Sequence, residues 1–77
     1  MNISPREIVE KGKMIYYQIK SRLEKKYNLA DYVSIEVNSG KYFVGKTPIE
    51  SASKAKAKFP KKQFFIAQVG RVAGVLK

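Results

Sequence analysis

The chain has 77 residues and a formal charge of +10, with sixteen Lys and Arg against six Asp and Glu and with neither Cys nor His. That length suits a single small domain, whose folding buries roughly 60% of the unfolded surface, and leaves no room for a second core. Lack of Cys and His excludes disulfides, thiolate or imidazole metal sites, Cys or Ser–His nucleophilic catalysis and a histidine acid–base switch, so neither an enzyme nor a cofactor is expected.

Ser4-Pro5-Arg6-Glu7 reads as an N-cap, a first-turn proline and a capping-box glutamate, predicting a helix over about residues 5–26. Ile8, Ile15, Ile19 and Leu23 form one helical stripe, widened by Tyr16 and Tyr27. Gly12 weakens the second turn by nearly 1 kcal/mol relative to alanine, which predicts fraying or a bend there. Tyr27 to Ala30 is the expected stop, with Asn28 as a left-handed cap. From Tyr32 the period becomes two, and a hairpin is expected over about residues 32–45. A three-residue turn Asn38-Ser39-Gly40 would set Val37 opposite Lys41 and Ile35 opposite Phe43. Val33, Ile35 and Phe43 would then share the core face, with Tyr32, Tyr42 and Val44 on the other.

Thr47, Pro48 and Glu50 predict the capped start of a second helix, about residues 47–59, laying Ala52, Ala55 and Phe59 on the sheet and ending at Pro60. Phe64 to Val69 is apolar on both faces and reads as the central strand of the sheet, antiparallel to the first strand. Residues 71–77 form a short apolar-basic tail. The expected fold is therefore a single small α+β domain, residues 1–77, of order α-β-β-α-β, with two helices and a three-stranded antiparallel sheet.

Gly40 to Thr47 matches the phosphate-loop pattern G-x-x-x-x-G-K-[ST] letter for letter. The chemistry behind that pattern needs a flexible loop whose N–H groups curl around an anion, after a strand that has already ended. Tyr42, Phe43 and Val44 are strand formers, Gly40 suits a turn, and the capping box engages the N–H groups a phosphate would need. Hydrolysis would also need a downstream acid for magnesium, and only Glu50 follows Thr47. The six acids Glu7, Glu10, Glu24, Asp31, Glu36 and Glu50 each have a helix, cap or strand-face role.

The residues Tyr32 to Val37, Ser39-Gly40, Tyr42 to Gly45, Thr47-Pro48, Glu50, Lys54-Ala55, Lys58-Phe59-Pro60 and Val69-Gly70 resemble a family of short prokaryotic proteins without an assigned activity. The likeness covers about half the chain and implies the hairpin, helix, strand layout. Gly45, Thr47 and Glu50 also resemble the strand-to-helix turn of HicB-type antitoxins. Those proteins usually add a third strand before the helix and a separate DNA-binding segment, neither of which is evident in this sequence.

The charge surplus draws polyanions, because each phosphate neutralised releases counterions. The same lysine content also suits solubility or growth at high temperature. The leading expectation is non-catalytic binding of DNA or RNA, with Lys54, Lys58, Lys61 and Lys62 beside Lys46 touching phosphates, and Lys20, Arg22, Lys25 and Lys26 extending the patch. Tyr32 or Tyr42 would stack on bases if exposed, and lie under the first helix otherwise. The alternative is an adaptor that pairs through open sheet edges or its first helix, with an acidic protein or with itself as a homodimer. No membrane partner is expected, since a core this small needs the apolar stripe of the first helix, and the lack of a long apolar run or signal sequence points to the cytoplasm.

Overall fold

The computed structural model describes residues 4–70, and the expected tail over residues 71–77 lies outside the described residues. The elements follow in the order α1 (Pro5–Lys26), β1 (Tyr32–Glu36), β2 (Tyr42–Gly45), α2 (Pro48–Lys58) and β3 (Phe64–Gln68). They form a small α+β domain whose antiparallel sheet has the order β2-β1-β3. The helices lie on opposite faces, α1 over β3 and β1, α2 over β2, β1 and the near side of β3.

The capping box of α1 forms as its sequence dictates. Ser4 Oγ accepts the Glu7 N–H at 3.2 Å, and Glu7 Oε1 accepts the Ser4 N–H at 3.2 Å. The buried stripe is Ile8, Gly12, Tyr16, Ile19 and Leu23, with Ile15 half-buried beside it. Tyr16 is thus at the centre of the stripe and not at its margin, and Gly12 belongs to it. A Cβ on Gly12 would meet Phe65 Cγ at 2.2 Å, so the glycine is where the helix comes down onto β3. The helix runs unbroken through this point. It ends on Tyr27 in extended backbone, whose N–H reaches the Leu23 carbonyl at 2.8 Å. No non-glycine residue has a positive φ among the described residues, so the expected left-handed cap at Asn28 is not formed. Asn28 instead opens a turn that Asp31 closes through its backbone N–H and its carboxylate.

The hairpin register differs by one residue from expectation. Ile35 stands opposite Tyr42, Ser34 opposite Phe43 and Val33 opposite Val44. The reason is Glu36, whose N–H pairs with the Lys41 carbonyl at 2.8 Å, which leaves a four-residue loop, Val37 to Gly40. Its buried carboxylate accepts the N–H groups of Asn38 at 3.1 Å and Ser39 at 2.9 Å, fixing the loop length from within. Gly40 closes the loop at φ 78°. A one-residue slip moves a strand's whole set of side chains to the other face. Tyr42 and Val44 therefore lie on the α1 side with Val33, Ile35, Phe65 and Ala67, and Phe43 turns toward α2, where its ring meets Phe59 edge-on at 6.2 Å.

The central strand is β1, and β3 is an edge. The two-sided hydrophobicity of Phe64 to Val69 arises because a helix layer lies over each face of the sheet, not from a central position. On the α2 side the fully buried helix residues are Ser51 and Ala55, with Ala52 and Phe59 half-buried. Ser51 Oγ donates to the Pro48 carbonyl at 3.0 Å. Its one proton being spent there, the 2.8 Å contact between the two hydroxyls has Ser34 as donor. Small residues let α2 sit close: a Cβ on Gly45 would meet Ser51 N at 2.6 Å.

Candidate nucleic-acid interface

Between residues 46 and 62 six lysines stand against one acid, Glu50. The geometry of α2 divides them. Residues four apart share a helix flank, and residues two apart face away from each other. Lys54 and Lys58 therefore lie on the flank toward β2, and Lys56 lies on the flank toward β3. Lys54 Nζ donates to the Val44 carbonyl at 2.8 Å and sits 3.6 Å from Glu50 Oε2, so this ammonium is engaged in holding helix and strand together. Lys46 stands at the helix start and Lys58 at its end, roughly 18 Å apart along the axis at 1.5 Å per residue.

Lys56, Lys61 and Lys62 come together around a shallow groove of about 520 Å³ between α2 and β3, whose floor includes Ala52, Phe64 and Ile66. Lys56 was not among the residues singled out from sequence. The legible signal was its spacing of four from Ala52, which puts the two on one flank. Lys62 also faces the Glu36 carboxylate. Burial pushes that carboxyl up, but the Ser39 hydroxyl, the N–H groups of Asn38 and Ser39 and the Lys62 charge outweigh it and hold it below its ordinary value of 4.5.

Lys20, Arg22, Lys25 and Lys26 belong to α1, on the far side of the sheet, so they form a second surface and do not extend the first. Lys20 is paired with Glu24, whose hydrogen bond raises the lysine's pKa against the opposing effect of burial, and its ammonium lies 5.7 Å from the Tyr16 ring centre. Lys26 lies 5.7 Å from the Tyr27 ring centre. Burial raises the Tyr16 hydroxyl, against the lowering effect of Lys20. Tyr32 and Tyr42 are half-buried, whereas Tyr17 is 52% exposed.

The phosphate-loop pattern resolves into other structure. Residues 42–45 are strand β2, paired along β1. Thr47 Oγ1 accepts the Glu50 N–H at 3.0 Å, and Glu50 Oε1 accepts the Lys46 N–H at 2.9 Å. The reciprocal bond thus reaches one residue earlier than a regular capping box, and two N–H groups at this helix start are engaged.

Edge chemistry follows from ladder alternation. Val69 N–H donates to the Asp31 carbonyl at 2.8 Å, which in an antiparallel ladder turns the backbone groups of Phe64, Ile66 and Gln68 outward from β3. Tyr16 Oη donates to the outward Gln68 carbonyl at 3.0 Å and lies 3.1 Å from that of Val69. By the same alternation Tyr42 and Val44 point outward from β2, and Lys54 takes the Val44 carbonyl. Each edge thus has one outward carbonyl already bonded.

No group of three or more metal-ligating side chains occurs among the described residues, and no helix there is long and apolar enough to cross a membrane. No family model, curated protein or solved structure matches the chain.

Proposed function

We propose that this protein is a non-enzymatic nucleic-acid-binding module that contacts phosphates through the lysines around α2 and the turn after it. The observation that carries this reading is the imbalance of residues 46–62, where six lysines stand against Glu50 alone, while the Glu36 carboxylate that Lys62 faces is buried and already engaged by backbone N–H groups. A surface whose lysines so outnumber its carboxylates draws polyanions and gains from counterion release. The lysines of α1, interleaved with Glu24 and two tyrosine rings, support binding less.

A titration of labelled DNA and RNA across roughly 50 to 200 mM salt tests this, with affinity expected to fall steeply as salt rises. The pair Lys58→Glu and Lys61→Glu is expected to weaken binding whatever the sequence. Micromolar affinity indifferent to salt would count against phosphate contact. The adaptor alternative is tested by sedimentation of the protein alone. The carbonyls already bonded on β2 and β3 favour a monomer there, since an edge with a closed acceptor offers a shorter ladder to a second strand.

A further inference from the structure

We infer that the groove between α2 and β3 receives unpaired nucleotides, so that the partner is single-stranded; this rests on the nucleic-acid reading above and narrows it. The rim is Lys56, Lys61 and Lys62, and the floor includes Phe64, Ile66 and Ala52. A duplex offers a protein surface mainly its phosphates and base edges, with its base faces stacked inward, so an aromatic ring on the floor would find no base face to stack on. A single strand presents phosphate and base face side by side. Cations beside an aromatic ring are the combination such a strand selects, through ion pairing and stacking.

Three features of the fold agree. α2 leaves the outer flank of β3 uncovered on its own face of the sheet, and the half-buried Phe64 and Ile66 line the groove there. The backbone N–H and C=O groups of Phe64 and Ile66 point outward along the edge of β3, beside the groove, where they can pair with base edges. An extended acidic peptide is the rival occupant. Strand addition needs a run of outward groups, and here Tyr16 already holds the Gln68 carbonyl, leaving Phe64 and Ile66 as the only residues of β3 with both groups outward and unbonded to that side chain.

The test is fluorescence anisotropy with labelled oligothymidylate, oligouridylate and a duplex of equal charge, on the intact protein and on Phe64→Leu, which keeps apolar bulk and removes the ring. The single strands are expected to bind roughly tenfold tighter than the duplex. Phe64→Leu should lose roughly tenfold on single strands, in line with the loss of one stacked base, with duplex affinity and salt slope unchanged. Lys56→Gln and Lys61→Gln should each lower the salt slope by about 0.7, one phosphate of a single strand. If circular dichroism shows Phe64→Leu unfolded, Ala52→Gln, which fills the groove from the helix side, carries the same comparison. Equal binding of both forms, with neither groove variant affecting single strands, overturns the inference and leaves the general reading standing. No binding of either form overturns both. Tighter binding of an acidic, alternately apolar peptide than of oligothymidylate also overturns it.

Discussion

On the α1 side of the sheet Tyr16, Leu23, Val33, Ile35 and Val69 have no exposed surface, whereas on the α2 side the side chains buried as completely are Ser34, Ser51 and Ala55. Large apolar groups interlock under one helix; small and hydroxyl groups let the other settle close over β2 and β1, leaving the outer flank of β3 uncovered. Hydrophobic stabilisation scales with apolar area removed from water, so most of it belongs to the α1 side. The α2 side carries less of that load, and its unfilled flank is where three lysines border a groove.

That asymmetry can be broken by truncation. Leu23→Ala is expected to cost about 2–5 kcal/mol, a large part of the stability of so small a domain, read as a shifted urea midpoint with unchanged slope. Next comes Gly12→Ala. Helix propensity alone favours alanine by nearly 1 kcal/mol, but a Cβ 2.2 Å from Phe65 Cγ forces overpacking. A net loss of about 2 kcal/mol is expected, and a stabilised variant would show that α1 does not press on β3 there. Tyr16→Phe keeps the ring and removes the donor to Gln68, for a loss of about 1–2 kcal/mol in the same melt. Ser34→Ala, on the other face, should cost about 1 kcal/mol or less, because Ser51 keeps its bond to Pro48.

Acid sharpens the comparison differently. The folded-state pKa of Glu36 lies below its ordinary 4.5, so its contribution to stability is fully present above that value and is lost as pH falls through the folded one. Urea midpoints from about pH 7 to about pH 3 should fall at the acid end, and Glu36→Gln should flatten that fall. An unchanged acid limb in Glu36→Gln would mean that the hairpin loop is not held by this carboxylate.

The layout was legible in the sequence because local signals agreed: two caps with prolines behind them, one change of period at Tyr32, and a glycine turn at Gly40. What the sequence hid were consequences of tertiary contact. Gly12 reads as a weak point until Phe65 is seen against it. The hairpin register depends on a carboxylate turning inward to hold its own loop, and alternation alone gives no reason for Glu36 to be buried. β3 reads as central because its two faces are both apolar, yet apolar faces report the helix layers above and below and say nothing about which neighbour lies beside a strand. The lysines were legible as a surplus but not as a site. Chain proximity grouped Lys54 with Lys58 and Lys62, while helix rotation and the turn after Phe59 sort them into a structural tie, an exposed flank and a groove rim.

The most direct test of the central claim is an amide chemical-shift map of isotopically labelled protein titrated with oligothymidylate. The largest shifts are expected at Lys56, Lys61, Lys62, Phe64 and Ile66, with Arg22, Lys25 and Lys26 on the far helix little changed. Shifts centred on those α1 residues, or none at saturating oligonucleotide, would contradict the placement of an anion-binding surface on the α2 side.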